Sequence, residues 1–311
     1  MQIIHQSDNK KCSPCVATVG FFDGVHAGHR FLIDELKTMA KNQSLQSVVI
    51  TFAAHPRKVL NSEFQPELLN TLEEKLDQLE TTGIDVCIVL EFSREMAKLS
   101  AYEFLKLVLE QYNVKTLLVG HDHRFGHNRA DGFPEYKKYG ESLGIEVIQT
   151  LCYSNEFAPQ ISSSEIRLAL RKGDIALANK LLTYIYFIRG KVISGFKVGR
   201  KIGFPTANIK PEDPDKLIPG IGVYAVLVGW NDKTYKGMMN IGNRPTLDNG
   251  ENISIEVHII DFDQDIYNET LAIRFIRKIR DEKKFPGVNE LIEQLQKDRQ
   301  FVIEMDDDNI N

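Results

Sequence analysis

The sequence predicts two domains: an α/β domain built on a parallel sheet, followed by an antiparallel β-barrel that a C-terminal helix closes. Three observations support this prediction. Strand patterns alternate with helical patterns over the first half, short strand patterns separated by Gly and Asn-Gly turns dominate the second half, and one helical pattern ends the chain. A chain of 311 residues is long enough for each domain to bury its own core.

In the first half, short runs of apolar and β-branched residues predict strands, and apolar residues spaced three and four apart predict helices. Alternating strands and helices are typical of a parallel sheet that is covered on both faces. Ligands of such sheets bind beyond the carboxyl ends of the strands. The predicted strands are 16–19, 47–52, 86–90, 116–119 and 145–150, and the predicted helices are 28–42, 72–82, 102–112 and 135–143.

The pattern changes after two short predicted helices, 164–172 and 175–182. We expect the domain boundary near Thr183, which divides the chain into domains 1–183 and 184–311. Beyond the boundary, turn signals separate the strand patterns, as in an antiparallel barrel. The predicted strands are 190–194, 224–230, 235–241, 253–262 and 271–275, and the predicted final helix is 288–303.

The composition is that of an ordinary globular protein, with 42% hydrophobic and 26% charged residues. The net charge of −5 argues against binding nucleic acid through overall charge, although it allows a local basic pocket. No apolar run approaches the roughly 20 residues that span a bilayer, and residues 1–11 lack the apolar core of a signal peptide. We therefore expect a cytoplasmic protein without nucleic-acid or membrane partners. The sequence leaves the oligomeric state open, including weak self-association.

The four cysteines are Cys12, Cys15, Cys87 and Cys152. Cys12 and Cys15 form a C-x-x-C pair, which alone suits a redox pair or half of a zinc site. No second pair follows at zinc spacing, and the motif precedes a strand instead of opening a helix. Two ordinary thiols are therefore the favoured interpretation.

A Gly- and His-rich segment, residues 20–29, follows the first predicted strand and opens a helix; it reads G-F-F-D-G-V-H-A-G-H. Backbone N–H groups and the dipole at a helix start attract polyphosphate, and Gly28 lets the backbone approach it closely. The imidazoles of His26 and His29 can donate hydrogen bonds as charge develops at an α-phosphate. Two surface histidines at a helix start are the alternative, which the surrounding motif disfavours.

Two further polar clusters lie in the first half. Residues 120–129 follow the predicted strand 116–119, and their arginines, aspartate and glycines suit an anionic or nucleotide ligand. Within them His121, Asp122 and His123 leave a metal site open, although regular ligand spacing is absent. In residues 161–167 the serines can cap a helix, and together with Arg167 they also suit phosphate.

These three clusters, in this order, resemble the FMN adenylyltransferase module of prokaryotic bifunctional FAD synthetases, which belongs to the H-x-G-H nucleotidyltransferase superfamily. The resemblance implies a Rossmann-like fold and contacts of His26 and His29 with ATP phosphates. Residues 51–56 resemble the family's T-F-x-P-H-P. The implied ATP and phosphate contacts also include Gly20, Phe22, Asp23, Gly28, Asp122, Arg124, Ser162, Ser163, Ser164 and Arg167, and the implied flavin contacts are His55, Pro56 and Arg129.

Three residues depart from that family's pattern. Ala54 replaces a proline and alters loop stiffness. His123 replaces a phenylalanine and alters a flavin or adenine contact. Ser164 replaces a threonine but keeps the hydroxyl, so none of the three changes removes a reacting group.

A second Gly-rich segment, residues 195–208, ends in P-T-A-N. Its glycines free backbone amides to wrap phosphates, and basic residues beside them add charge. The Thr206 hydroxyl and the Asn208 carbonyl are hard oxygen ligands, suited to Mg²⁺ shared with ATP. The chain contains no Walker A motif, and ordinary β-turn glycines are the alternative interpretation. The candidate phosphate-binding residues are Gly195, Gly199, Lys201 and Gly203.

Residues 254–262 alternate as a strand does, so that Glu256 and His258 share one face, opposite Ile255, Val257 and Ile259. A carboxylate on such a strand can accept the proton of an attacking hydroxyl. From spacing alone, however, a solvated strand face is the favoured interpretation.

The P-T-A-N segment, followed by I-E-V-H-I-I-D-F, Ile266-Tyr267 and residues 280–285, resembles riboflavin kinase. The resemblance implies a six-stranded antiparallel barrel, Mg²⁺ ligands at Thr206 and Asn208, and a catalytic base at Glu256. It also implies flavin contacts by Arg280 and Phe285. The junction 183–186 reads T-Y-I-Y where the family often has G-R-P-Y, a change in the linker and not in the reacting groups.

Together the resemblances imply an enzyme with Mg²⁺ as cofactor and riboflavin, FMN and ATP as substrates. It would phosphorylate riboflavin to FMN and then adenylylate FMN to FAD, releasing pyrophosphate. One alternative is a transferase for a different alcohol or phosphate, which the attached P-T-A-N barrel argues against. Another is a flavin-binding regulator without activity, which the intact candidate residues argue against.

Overall fold

The computed structural model describes residues 1–121, 123–127, 131–150, 161–195, 198–243 and 253–305. It divides into two compact units, a first unit of residues 1–163 and a second unit of residues 164–311.

The first unit alternates strands and helices along the chain. Its strands are β1 Gln2–His5, β2 Cys15–Val19, β3 Gln46–Phe52, β4 Val86–Leu90, β5 Val114–Val119 and β6 Glu146–Gln149. Its helices are α1 Ala27–Gln43, α2 Pro56–Leu60, α3 Leu72–Glu80, α4 Ala101–Tyr112 and α5 Phe133–Leu143. All six strands form one sheet in which every neighbouring pair is parallel.

The order of strands in this sheet is β1-β4-β3-β2-β5-β6, so the direction of chain progression reverses between β2 and β5. Loops that follow two strands at such a switch point diverge and open a crevice for a ligand. The segments 20–26 and 120–127 are the loops that follow these two strands. The predicted parallel α/β fold is confirmed, and its motif loops meet the crevice.

Both faces of the sheet are covered, because alternate strand residues join two separate cores. Ala17 and Ile50 pack with residues of α4 and α5, such as Phe104 and Tyr136. Val16, Val49 and Leu118 pack with residues of α1 and α3. These residues are Leu32, Ile33, Leu36 and Leu79. The strands are therefore apolar on both sides, as the continuous apolar runs predict.

The second unit begins with helices α6 Ser163–Lys172 and α7 Ile175–Leu182 and continues as a closed barrel. Its strands are β7 Phe187–Ile193, β8 Ala207–Pro211, β9 Gly222–Trp230, β10 Lys233–Asn243, β11 Ile253–Ile259 and β12 Thr270–Arg280. They close in the order β10-β11-β8-β7-β12-β9, and each is antiparallel to both neighbours. The predicted six-stranded antiparallel barrel is confirmed.

Helix α9, Val288–Ile303, packs on the barrel as the sequence predicts. Its fully buried Val302 joins Met238 and Ile260 in one core, and Ile292 and Leu295 pack against that core. The apolar stripe of the helix thus covers barrel residues that would otherwise meet water.

Besides the short helix α2, which was not predicted, three strands differ most from the prediction. The polar N-terminus contains the edge strand β1, in which only Ile4 is buried. Its sequence therefore shows no clear alternation of apolar and polar residues that would predict a strand. Strand β8 lies in a segment predicted as loop, because A-N-I-K-P has neither an apolar run nor β-branched enrichment. Strand β12 extends five residues past the predicted end at 275, with register shifts near Phe275 and Lys278 that interrupt a regular pattern.

The described cysteines are free thiols buried in the first unit. Burial raises the pKa of Cys15 to about 12, and the neighbouring Cys12 thiol adds to this effect. A thiol with so high a pKa is a poor nucleophile and a poor metal ligand. The interpretation of Cys12 and Cys15 as ordinary thiols is therefore supported, while Cys152 lies outside the described residues. Among the helices that the structure describes, none is long and apolar enough to cross a membrane.

The boundary predicted near Thr183 stays a prediction, and two fragments test it. Residues 164–311 retain α7, whose Asn179 donates to Phe275 O at 3.0 Å and accepts from Tyr186 N at 2.8 Å. They also retain Leu170 O, which accepts from Gly220 N at 2.9 Å. Each buried group left unpaired costs about 1–3 kcal/mol.

We therefore expect the fragment 164–311 to melt at a temperature higher than that of the fragment 184–311 by roughly 5 °C or more. Circular dichroism on both fragments measures the difference. Equal melting temperatures would show that the barrel does not need α6 and α7.

Candidate active sites

The loop after β2 turns sharply before α1 begins. Gly20 N donates to Ile50 O at 3.0 Å, which ties the loop to β3. Phe22 and Val25 have φ angles of +55° and +37°, a left-handed conformation that costs of order 1–3 kcal/mol for such residues. Both side chains are buried, so their packing in the core holds the turn.

The two histidines of the H-x-G-H motif stack on each other at the start of α1. Their ring centroids are 3.6 Å apart and the planes are inclined by 18°. His26 caps the helix, since its Nδ1 accepts a hydrogen bond from the backbone N–H of His29 at 3.3 Å. A neutral His26 therefore carries its proton on Nε2. A Cβ on Gly28 would lie 3.3 Å from the His26 ring, so glycine avoids crowding it.

His29 is held in its neutral form. Burial lowers its pKa well below the ordinary value of 6.5, and His26, His123 and Lys75 lower it further. Phe22 packs against the His29 ring at 5.1 Å. The His29 Nδ1 atom is buried, and it has no hydrogen-bond partner among the residues that the structure describes. A neutral imidazole keeps one donor and one acceptor, and the free ring nitrogen is available to a ligand.

Asp23 fixes the shape of this loop. Its Oδ1 accepts hydrogen bonds from Leu69 N at 2.9 Å and Asn70 N at 3.2 Å, and the residue is 4% exposed. Ser163 Oγ donates to the Asp23 carbonyl at 2.9 Å. The carboxylate is thus used by the backbone of the protein, and the direct phosphate contact expected for Asp23 stays a prediction.

The third motif surrounds the start of α6. Ser162 precedes the helix, and Ser163, Ser164 and Arg167 lie in its first two turns. The phosphate contacts implied for these four residues stay predictions.

The loop after β5 is anchored by Phe125. The Phe125 ring stacks on Tyr136 at 4.0 Å, and the Tyr136 hydroxyl accepts from Phe125 N at 2.9 Å. Gly126 has a φ of +87°, and a Cβ there would lie 2.6 Å from Ala101 N, so only glycine fits. This anchoring fixes Phe125 and Gly126 against α5 and α4.

Within this loop, His123 lies close enough to His29 to lower its pKa. The site therefore holds a third imidazole, where the related family has a phenylalanine. Arg124 is exposed. Asp122 and Arg129, which the sequence also assigns to the site, lie outside the described residues.

His55 and Pro56 open α2 at the carboxyl end of β3. His55 Nδ1 accepts from Arg57 N at 3.2 Å. Its ring packs edge-on against Phe21 at 4.8 Å and lies 5.4 Å from Phe64. Such a group of rings suits contact with a flat aromatic ligand, although the flavin contacts expected for His55 and Pro56 stay predictions.

In the second unit, the segment predicted as a Gly-rich loop contains one helical turn, α8 Val198–Lys201. Gly199 O accepts from Phe204 N at 2.9 Å, and a Cβ on Gly199 would collide with Phe204 O. Gly203 has a φ of +83°. The backbone turn therefore requires both glycines, while the phosphate contacts expected for Gly195, Gly199, Lys201 and Gly203 stay predictions.

Thr206, Asn208 and Glu256 converge beside this turn. Asn208 on β8 is directly opposite Glu256 on β11 in the strand register. The Thr206 hydroxyl donates to Glu256 Oε2 at 3.0 Å. Gly195 lies against the Asn208 amide, and a Cβ there would be 2.6 Å from Asn208 Cγ. These hard oxygen donors fit the Mg²⁺ ion expected from the sequence.

His258 supports Thr206 through a hydrogen bond to the preceding residue, Pro205. Its Nδ1 lies 2.8 Å from Pro205 O and so carries the proton, and its ring packs edge-on against Phe204 at 5.3 Å. Burial lowers the pKa of His258, which favours the neutral ring. By holding Pro205, His258 fixes the residue next to Thr206. His258 is 9% exposed, so this position of β11 is not solvated, whereas Glu256 on the same face is half-buried.

Thr206 lines two cavities. The first, of about 320 Å³, is lined by Glu256 and His258 together with a largely apolar set, Ile202, Phe204, Val223, Met238, Phe285, Leu291 and Leu295. The second, of about 420 Å³, includes Arg200, Asp263 and Tyr267.

Arg280 also lines the smaller cavity. Its guanidinium group is held by Asp298, with Nη2 to Oδ2 at 2.8 Å and Nε to Oδ2 at 3.0 Å. Asp298 is 1% exposed, so the ion pair fixes Arg280 against α9. The flavin contacts expected for Arg280 and Phe285 stay predictions.

An α/β unit with a histidine pair at a helix start, joined to a barrel with an oxygen-donor cluster, is typical of ATP-dependent group transfer at two sites. The FAD synthetase family model matches residues 8–165, and the riboflavin kinase family model matches residues 182–305. The chain belongs to the bifunctional riboflavin kinase/FMN adenylyltransferase family.

Relatives of that description cover nearly the whole chain. The protein of Bacillus subtilis (strain 168) is 38% identical over 306 residues, 96% of this chain and 95% of the relative. The Listeria monocytogenes protein is 39% identical over 287 residues, 92% and 90% of the two chains. The Escherichia coli (strain K12) protein is 36% identical over 297 residues, 95% and 94% of the two chains.

A solved structure shares the fold throughout. It is the crystal structure described as a macrolide-efflux protein from Streptococcus pneumoniae, with a TM-score of 0.89 and 33% sequence identity. The match covers 98% of this chain and 100% of that chain.

Lys75 was not among the site residues predicted from the sequence. It is 2% exposed and lies at the ends of β2 and β3. A signal was present, because Lys75 falls between Leu72, Leu76 and Leu79 on the apolar face of a predicted helix. A charged residue on an apolar stripe indicates a buried cation.

The packing of Gly195 on Asn208 yields a test of the kinase site. We expect Gly195→Ala to displace the Asn208 amide and to lower riboflavin phosphorylation by about 10-fold or more. FAD synthesis from supplied FMN should not change, because the first unit is untouched. Gly229→Ala in β9 is the matched control, since its Cβ would lie 3.5 Å from Ala272 O, an ordinary contact. Kinase activity of Gly195→Ala equal to that of Gly229→Ala would contradict the assignment.

Proposed function

We propose that the second unit phosphorylates riboflavin to FMN with ATP, and that the first unit adenylylates FMN with a second ATP to give FAD. The observation that carries the proposal is the grouping of Thr206, Asn208 and Glu256 in the barrel, together with the two cavities that Thr206 lines. The stacked His26 and His29 at the switch point of the sheet support the second reaction.

In the kinase step, the 5′-hydroxyl oxygen of riboflavin attacks the γ-phosphorus of ATP. The bond from that phosphorus to the β,γ-bridging oxygen breaks, and ADP leaves. Glu256 accepts the hydroxyl proton, and the Thr206 hydroxyl orients the carboxylate by donating to Oε2. His258 keeps Thr206 in place through Pro205.

Thr206 and Asn208 would hold Mg²⁺, which neutralises phosphate charge when bound. Both are anchored before any ligand arrives, Thr206 by Glu256 and Asn208 by its place in β8 against Gly195. Anchored donors reduce the entropic cost of binding.

The two cavities suit the two substrates differently. The smaller one joins Glu256 to a largely apolar lining, which suits the flat isoalloxazine ring of the flavin. The larger one combines the cation Arg200 with the half-exposed ring of Tyr267, which suits a nucleotide. Thr206, which lines both, would then face the phosphate that is transferred.

In the adenylylation step, a phosphate oxygen of FMN attacks the α-phosphorus of ATP. The bond to the α,β-bridging oxygen breaks, and pyrophosphate leaves. The FMN phosphate is already ionised near neutral pH, so positioning and charge stabilisation carry the rate. Neutral His29 and the neighbouring His26 would donate N–H groups to phosphate oxygens, beside the backbone N–H groups that open α1.

A pair of variants should separate the two reactions. Glu256→Gln keeps the shape of the side chain but removes the proton acceptor, so riboflavin phosphorylation should fall by about 10²–10⁴-fold. Its synthesis of FAD from supplied FMN should stay at the wild-type rate. His29→Ala should show the reverse, with FAD synthesis lost and riboflavin phosphorylation retained. Steady-state assays with chromatographic separation of FMN and FAD measure both rates.

Matched controls exist for each variant. Glu212 accepts a hydrogen bond from Thr270 Oγ1 at 3.0 Å, as Glu256 does from Thr206, but it lines neither of the two cavities. Glu212→Gln should therefore leave the kinase rate unchanged, and His5→Ala should leave FAD synthesis unchanged. A kinase rate for Glu256→Gln within a few-fold of wild type would reject its role as the base.

A further inference from the structure

Lys75 is a buried cation in the first unit, and no salt bridge joins it to an acid within the part of the chain that the structure describes. Its side chain is 2% exposed, and its Nζ donates to Phe52 O at 2.8 Å and to Phe21 O at 3.2 Å. The ammonium also lies 4.2 Å from the centre of the Phe21 ring, a cation–π distance. Burying an ammonium group without an ion-pair partner costs several kcal/mol, so this arrangement calls for a function.

The two carbonyls that Lys75 binds belong to the two motif loops that flank β2 and β3. Phe52 ends β3, three residues before His55, and Phe21 follows β2, five residues before His26. Thr51 Oγ1 donates to the same Phe21 carbonyl at 3.1 Å. One ammonium group therefore ties together the loop that carries the H-x-G-H motif and the loop that leads to His55.

The charge of Lys75 also acts on the site. It helps to lower the pKa of His29, and the carboxylate of Asp23 attracts it across the loop. A fixed positive charge behind a phosphate-binding loop favours an anionic ligand in front of it.

We propose that Lys75 is a positioning residue for adenylyl transfer: its ammonium group fixes the loops after β2 and β3 together and supplies buried positive charge behind the ATP polyphosphate. This inference rests on FAD synthesis by the first unit. It assigns to Lys75 no contact with the reacting atoms.

The proposal predicts that the rate of FAD synthesis falls at alkaline pH. Burial lowers the pKa of Lys75 from 10.5 to about 8, against the opposite effects of Asp23 and Cys87. Below that pH the ammonium is present, and above it the charge and one hydrogen are lost. Two of the groups near Lys75 do not titrate there, because burial raises the pKa of Cys87 to about 12 and lowers that of His29. The third is the Asp23 carboxylate, which raises the pKa of Lys75.

The test is the pH dependence of kcat/KM for FAD synthesis, which reports on groups of the free enzyme. In the wild-type enzyme kcat/KM should fall as the pH rises through about 8, and this decrease is the alkaline limb of the pH profile. Lys75→Met, which keeps length but loses charge and donors, should lower kcat/KM at pH 7 by about 10- to 100-fold and flatten that limb. Lys75→Arg should retain activity and move the limb to higher pH, because arginine stays protonated.

Lys37→Met is the matched control. Lys37 also donates to a backbone carbonyl, Thr82 O at 2.6 Å, but its side chain is 36% exposed and lies on the far part of α1. Lys37→Met should leave both kcat/KM and its pH profile unchanged. Riboflavin phosphorylation by every variant serves as an internal standard for active protein.

The outcomes separate the inference from the proposed function. A wild-type enzyme that makes no FAD would reject the proposed function itself. A wild-type enzyme that makes FAD without an alkaline limb near pH 8 would overturn the role of Lys75. So would FAD synthesis by Lys75→Met within about three-fold of wild type, or a limb that stays in place in Lys75→Arg. If Lys75→Met does not fold, the wild-type and Lys75→Arg profiles decide.

Discussion

Strand pairing is the constraint on which both sites depend. In the first unit, parallel pairing of β2 with β3 and with β5 brings three motif-bearing loops to one edge of the sheet. In the second unit, antiparallel pairing of β8 with β11 sets Asn208 opposite Glu256. Backbone hydrogen bonds in a fixed register thus place side by side two residues that are 48 positions apart in sequence, from 208 to 256.

The two sites manage charge in opposite ways. In the first, burial and neighbouring positive groups keep His29 neutral, so that it adds no positive charge. The second presents the Glu256 carboxylate beside neutral oxygen donors. The difference follows from the chemistry, since an ionised phosphate needs no base whereas a hydroxyl does. Two dissimilar folds in one chain therefore serve two dissimilar nucleophiles.

Much of the fold could be predicted, because the long periodic helix α9 and the buried strands of the sheet have clear sequence patterns. The motif residues His26, His29, Thr206, Asn208 and Glu256 could also be found from order and spacing. The left-handed turn at Phe22 and Val25 could not, since tertiary packing holds residues there that ordinarily avoid it. Strand β8 has no periodic signal and exists because its neighbours pair with it. Lys75 lies on the apolar face of a predicted helix, but only the fold shows which carbonyls its ammonium group meets.

One chain is expected to hold two independent sites. Mixing two variants that each lack one of the two activities tests this most directly. Neither Glu256→Gln nor His29→Ala should make appreciable FAD from riboflavin and ATP. An equimolar mixture should make FAD after a lag, because FMN released by the His29→Ala protein becomes the substrate of the Glu256→Gln protein. A mixture that accumulates FMN without FAD, or that makes neither product, would contradict separate sites. Chromatography of the mixture over time distinguishes these results.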